Sequence, residues 1–139
     1  MTATHARTGS VASWPPGLPR SLEYPLVPVG SILRAAVRRW GDKPAFIHHD
    51  VPLTFSELGR RAHAVANWLA GHGIGRGDVV AVHLPNCRQY PAVYYGVLLA
   101  GATFSPTNPL LPAADLAAQL ADAGAAAIVT WEQVLPVVR

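Results

Sequence analysis

The stretch from Asp78 to Pro109 constrains the fold most, because it places two β-prone segments on either side of one helix. Val79 to Val82 form a continuous apolar run, which is typical of a parallel strand covered on both faces. Ala102 to Ser105 form a second short β-prone segment, and Pro106 ends it. Two strands separated by one helix predict a right-handed βαβ crossover.

The segment after this unit begins to repeat it. Leu116, Leu120 and Ala123 recur at helical spacing, and Gly124 is placed to end that helix. Ala126 to Thr130 then predict a third parallel strand. The sequence therefore predicts an α/β fold: a partial parallel sheet of βαβ units with flanking helices.

Upstream, the pattern predicts a helix, a hairpin and a longer helix. The first helix covers Ser31 to Trp40, with Ser31 as its N-cap and Gly41 as its end. Two short strands then turn at His49-Asp50. Thr54 and Glu57 have the spacing of a capping box, which predicts the start of the longer helix.

The 139 residues suffice for one domain, of which we expect residues 29–139 to form part. Residues 1–28 are rich in Pro, Ser and Thr and predict an extended or disordered leader. Trp14, Leu18, Leu22 and Tyr24 are its candidate anchors to the domain surface. An apolar fraction of 50% against 14% charged residues predicts surface that meets another part of a protein.

Composition also argues against several classes. The net charge of +3 comes from scattered arginines, and Lys43 is the one lysine. The sequence therefore lacks the basic stripe that would predict nucleic-acid binding. No apolar run approaches the ~20 residues that a membrane span requires. Cys87 is the single cysteine, so no internal disulfide can form, and a soluble cytoplasmic protein is expected.

Several residues invite a chemical reading that their context argues against. His83 and Cys87 flank the end of the first strand and suggest a nucleophile pair, but no orienting group or oxyanion motif accompanies them. The glycines from Gly71 to Gly77 follow a helix and open a strand, whereas a dinucleotide loop does the reverse. Adjacent His48 and His49 should point to opposite faces of a strand, which disfavours a shared metal ion.

An ordered series of motifs carries a family resemblance. The series is GDKPAF at Gly41–Phe46, LTFSEL at Leu53–Leu58, GIGRGDVVAVHLPN at Gly73–Asn86, GVLLAGATFSPTNP at Gly96–Pro109 and LAAQLADAGAAAIVT at Leu116–Thr130. In this order and spacing it resembles the N-terminal subdomain of adenylate-forming enzymes: acyl-CoA synthetases, coumarate-CoA ligases, luciferases and peptide-synthetase adenylation domains. FSPTNPLL is most similar to the branch that activates aryl and medium- to long-chain carboxylic acids.

The resemblance implies an activity for the complete enzyme. Such enzymes join a carboxylic acid to ATP with Mg²⁺, release pyrophosphate, and pass the acyl group to coenzyme A. The phosphate-binding loop with its lysine, the ribose-binding acid and the catalytic lysine have no counterpart in this chain, and Lys43 falls in a structural segment. No catalytic residue is therefore assigned. The resemblance implies one ligand contact, Asn108, in a loop near the path of coenzyme A; the alternative is that Pro106, Asn108 and Pro109 set a rigid turn.

We therefore expect a truncated acyl-CoA synthetase, incomplete at its C-terminal end and inactive alone. The alternative is a non-catalytic module that pairs with a separate adenylation partner or forms a homodimer. A third hypothesis, hydrolysis by Cys87 and His83, requires a reactive thiol.

Overall fold

A computed structural model describes residues 15–19 and 21–134. Its helices are α1 (Gly30–Trp40), α2 (Phe55–Gly71), α3 (Tyr90–Leu99) and α4 (Ala113–Ala123), and a 3₁₀ turn covers Glu132–Val134. Its strands are β1 (Pro44–His48), β2 (Val51–Thr54), β3 (Val79–His83), β4 (Thr103–Pro106) and β5 (Ala125–Thr130). The predicted order of elements is confirmed.

The strands form a hairpin and a separate parallel sheet. β1 and β2 pair antiparallel, and the turn between them consists of His49 and Asp50, with φ of 47° and 60°. β3 lies at the centre of the parallel sheet, in the order β4-β3-β5, with β4 and β5 both parallel to it. The expected partial parallel sheet and short hairpin are therefore confirmed.

The caps of α1 and α2 correct two expectations. Ser31 does not cap α1: the N-cap position is Val29, which makes no side-chain capping bond, so Ser31 lies inside the first turn. Thr54 does cap α2, accepting a hydrogen bond from the Glu57 amide at 3.2 Å. The Glu57 carboxylate does not complete the reciprocal box, because it accepts a hydrogen bond from Arg61 one turn later.

Glycines end α2 and α4 as the spacing predicts. After α2, Gly73 has φ of 74°, and the amides of Gly73 and Ile74 donate to the carbonyls of Ala70 and Leu69. These two bonds form a Schellman motif, which satisfies carbonyls that the helix end leaves free. After α4, Gly124 has φ of 59°, again a conformation that costs glycine little.

The core consists of two neighbouring clusters of buried side chains. One packs α2 and α3 against the parallel sheet: Leu69, Val80, Val82, Leu84, Val93, Val97 and Ala102. The other joins α1, the hairpin, α2 and α3: Leu33, Leu53, Leu58, Ala62 and Ala92. Ile32 and Trp40, which share the apolar spacing of α1, remain exposed, because the contacts of α1 to the core pass through Leu33.

The residues before α1 contain no helix or strand within the described ranges 15–19 and 21–29. The candidate anchors Leu18, Leu22 and Tyr24 are exposed and are not among the buried core residues. Trp14 lies outside the described residues, as do Leu135 to Arg139. Of the helices in the described ranges, none has the length and apolar character to cross a bilayer.

Candidate functional site

The carboxyl ends of β3, β4 and β5 lie at the same edge of the sheet, because the strands are parallel. The register places Val82 beside Pro106 and His83 beside Thr130. The loops that leave this edge begin at Leu84, Thr107 and Trp131. Open α/β sheets bind their ligands at this edge, which makes it the first candidate site in the chain.

His83 is the buried polar side chain of this edge, with 1% of its surface exposed. Its Nδ1 lies 2.8 Å from the Thr107 hydroxyl, and the Thr107 amide donates to the Val82 carbonyl at 3.0 Å. Its Nε2 is buried and has no hydrogen-bond partner among the described residues. Burial lowers the pKa of His83 below its usual value, so the imidazole is held neutral. His83 thus fastens the loop after β4 to the central strand.

Cys87 does not form a catalytic pair with His83. The described hydrogen bonds of the His83 ring go to Thr107 alone, and none joins it to the thiol. Cys87 is half-buried and lines a cavity of about 440 Å³ with Leu84, Val93, Thr130, Trp131 and Glu132. Without a base beside it, the thiol lacks the activation that a nucleophile requires. The geometry therefore disfavours the hydrolase hypothesis.

Asn108 lies in the loop between β4 and α4 and is exposed. Its side-chain oxygen accepts a hydrogen bond from the Leu110 amide at 3.0 Å, and its carbonyl accepts one from the Leu111 amide at 3.1 Å. The first bond is that of an Asx turn and the second closes a β-turn, so Asn108 has a structural role. The predicted contact of Asn108 with coenzyme A stays a prediction.

The glycine-rich turn before β3 already contains an acceptor for one of its amides. The Gly75 amide donates to the Asp78 carboxylate at 2.8 Å, and Gly77 has φ of 98°. A phosphate cradle needs free amides and a positive potential, whereas here a carboxylate already fills the turn. The expected structural role of these glycines agrees with this geometry.

The hairpin histidines are closer together than strand alternation predicts. The ring centroids of His48 and His49 lie 4.2 Å apart, because His49 has a positive φ and belongs to the turn. The expectation that the two rings point to opposite faces of a strand is therefore wrong. In residues 15–19 and 21–134 no group of three or more His, Cys, Asp or Glu side chains is arranged to hold a metal ion.

Two features of the structure had no signal in the sequence. One is the bond between His83 and Thr107, which are 24 positions apart. The other is the hydrogen bond from Arg88 to the Pro52 carbonyl, which joins residues 36 positions apart at 3.2 Å. Short-range periodicity carries no information about such pairs, since nothing in the sequence next to either residue indicates its distant partner.

Comparison with known proteins identifies the family. The model of the AMP-binding enzyme family matches residues 33–138. This chain belongs to the AMP-binding enzyme family. The matched residues include both clusters of the core and every strand described above.

Among curated proteins, the long-chain-fatty-acid–CoA ligase of Bacillus subtilis is 38% identical over 126 residues, covering 91% of this chain and 22% of that ligase. The ligase of the same name from Yersinia pestis is 44% identical over 95 residues, covering 68% and 17%. Among solved structures, a fatty acyl CoA synthetase from Mycobacterium tuberculosis superposes with a TM-score of 0.73 at 28% identity. That superposition covers 78% of this chain and 22% of the synthetase.

These comparisons confirm the resemblance to adenylate-forming enzymes and the expected fold class. The chain aligns with part of these ligases and this synthetase, and it spans about a fifth of the length of the relatives named here.

Proposed function

We propose that this chain provides the amino-terminal scaffold of an ATP-dependent carboxylic acid–CoA ligase whose substrate is a fatty acid. The observation that carries this proposal is the family match over residues 33–138, together with the relatives named as long-chain-fatty-acid–CoA ligases. The parallel sheet supports it, because its strand ends present loops in the position where open α/β enzymes bind substrates.

ATP, Mg²⁺ and coenzyme A are the cofactors that the family implies for a full-length enzyme. The described residues do not fit a site for the nucleotide phosphates. The Gly75 amide is occupied by Asp78, and Lys43 is exposed in the turn before β1. We therefore assign no catalytic step to these residues, and we propose that the chain is inactive alone. Asn108 remains the proposed contact for coenzyme A.

A chimera tests the scaffold role. The aligned 126 residues of this chain replace their counterpart in the Bacillus subtilis ligase, and acyl-CoA formation is measured with a long-chain acid. We expect the chimera to be active and the same ligase with the segment deleted to be inactive. A folded chimera without activity would count against the proposal.

Pyrophosphate exchange tests the proposed inactivity of the chain alone. The purified chain is incubated with ATP, labelled pyrophosphate and a panel of carboxylic acids. We expect no acid-dependent exchange, since no described group neutralises the charge that develops on the phosphates. Exchange that depends on the acid would refute the proposed inactivity.

A second candidate function is that of a non-catalytic module that binds a separate adenylation partner or itself. A groove of about 500 Å³ between α2 and β5 supports it, lined by Val65, Trp68, Ile128 and Val129 among others. Trp68 is 58% exposed at this groove, which is a large apolar surface to leave in water.

Light scattering distinguishes these states. A dimer or a stable complex with a lysine-bearing adenylation partner, weakened by Trp68→Glu, would favour the module. A stable monomer that binds no such partner would exclude it.

A further inference from the structure

A second cavity, of about 390 Å³, lies between the hairpin and the start of α3. Phe46 and Ile47 line it from β1, and Tyr90, Tyr94 and Tyr95 line it from α3. Arg88 lines it from the loop that precedes α3. The volume falls within the range of sites that hold small organic molecules. We call this space the hairpin cavity.

The guanidinium of Arg88 is the charged group of the hairpin cavity. Its Nη2 donates to the Pro52 carbonyl at 3.2 Å, while its Nε is buried and has no partner among the described residues. None of the described residues that line the cavity is Asp or Glu. An arginine offers several donors in a fixed fork, and buried donors without acceptors are uncommon in folded proteins. The hairpin cavity therefore contains a positive charge without a described carboxylate beside it, and one buried donor of that group, Nε, has no described acceptor.

Most of the remaining walls are apolar or aromatic, and His48 and Asn86 are the other polar side chains among the described lining residues. Phe46 and Ile47 are 47% and 68% exposed at the hairpin, so apolar surface faces solvent here. Tyr94 and Tyr95 contact each other edge to face, with ring centroids 5.0 Å apart. Burial, with a smaller effect of Tyr94, raises the pKa of Tyr95, so its hydroxyl stays neutral and can donate a hydrogen bond. These walls favour an apolar body over a fully hydrated ion.

We propose that the hairpin cavity binds a small amphiphilic carboxylate, with the carboxylate against Arg88 and the apolar body between the hairpin and the tyrosines of α3. A single carboxylate matches the single positive charge and the fork geometry of the guanidinium. A doubly charged inorganic phosphate would match the charge less well and would leave the apolar walls in contact with water. The binding is non-covalent and does not depend on the proposed ligase activity.

The test uses the whole 139-residue chain and a pair of probes of nearly equal shape, phenylacetate and phenylacetamide. Binding is followed by chemical-shift changes in ¹H–¹⁵N spectra. We expect phenylacetate to shift the amides of β1 and the start of α3, and to bind about tenfold or more tightly than the amide, since a charge-assisted hydrogen bond is lost. Inorganic phosphate, which lacks the apolar body, is expected to leave these amides unchanged.

Arginine variants locate the charge. Arg88→Gln should lower the affinity for phenylacetate about tenfold or more and leave that for phenylacetamide nearly unchanged. Arg76→Gln is the matched control, because Arg76 is exposed in the turn before β3 and does not line the hairpin cavity. Its affinity for phenylacetate should equal that of the unchanged chain.

A third variant protects the test against misfolding of the Arg88 variant. Ile47 is exposed at the hairpin, so Ile47→Glu should fold, and its carboxylate should repel phenylacetate while sparing phenylacetamide. Equal affinities for the two probes, an unchanged affinity in both cavity variants, or no shift at all with phenylacetate would each overturn the proposal.

Discussion

Gly96 lies where α3 packs against α2, and of the glycines that the structure describes it leaves the least room for a side chain. Replacing it with alanine tests the packing of the two helices. A Cβ built on Gly96 would lie 2.5 Å from the Cβ of Val65 and 2.9 Å from the Ala62 carbonyl oxygen. Neither neighbour can rotate away, because one is a β-branched carbon at the backbone and the other is backbone itself. The helices must therefore move apart to admit one methyl group.

The expected magnitude combines two opposing effects. Overpacking costs about 1–3 kcal/mol, and a backbone neighbour places this site in the upper half of that range. Alanine in a helix interior recovers about 1 kcal/mol relative to glycine. The net loss in the free energy of unfolding should be about 1–2 kcal/mol. For a domain of this size the melting temperature should fall by roughly 4–8 °C.

Urea unfolding followed by far-UV circular dichroism measures this loss, with Gly71→Ala as the control. A Cβ at Gly71, the last residue of α2, would meet no atom within 4 Å. That variant should therefore be neutral or gain up to about 1 kcal/mol from helix propensity alone. Should Gly96→Ala match Gly71→Ala in stability, the close contact between α2 and α3 would be wrong.

Four further variants test the helix caps, the hairpin turn and the buried histidine by the midpoint of urea unfolding. Thr54→Ala should cost about 1 kcal/mol because it removes the capping bond of α2, whereas Ser31→Ala should cost almost nothing; equal losses would contradict the assigned caps. Asp50→Gly should stabilise the hairpin by a few tenths of a kcal/mol, up to about 1, because Asp50 has φ of 60°, and a loss would contradict this turn. Burial lowers the pKa of His83 in the folded chain. Below the usual histidine pKa of about 6.5, the unfolded chain therefore binds a proton that the folded chain does not. The free energy of unfolding should fall with acid by at most about 1.4 kcal/mol per pH unit. His83→Gln should flatten that decline between pH 7.5 and 5.5, whereas an unchanged slope would assign the decline to other groups.

The sequence predicted the elements well where short-range patterns determine them. The apolar run from Val79 to Val82 and the Thr54 cap depend on neighbours a few positions away, and both are confirmed. The cap prediction was wrong at Ser31, because α1 begins two residues earlier with Val29 at its N-cap, although the Ser31 side chain is of a type that caps helices. It failed again at Glu57, where Arg61 one turn later competes for the carboxylate.

The candidate site was predictable only in outline. The sequence placed His83 and Cys87 at the end of the first strand of the βαβ unit, and His83 does lie at the carboxyl edge of the sheet. The sequence did not indicate that the ring of His83 binds Thr107, which removes it from any pairing with Cys87. A hydroxyl 24 positions away leaves no periodic signal, so only its position in space reveals the bond.

By itself, the sequence determined the stretch from Asp78 to Pro109 as a strand, a helix and a strand, and through its ordered motifs it indicated the family. The tertiary structure alone decided the strand order β4-β3-β5, the close approach of Gly96 to α2, and the hairpin cavity around Arg88. The physical reason is the range of the interactions. Helix caps, turns and strand alternation depend on adjacent residues, whereas sheet order and cavities depend on which distant surfaces bury apolar area together.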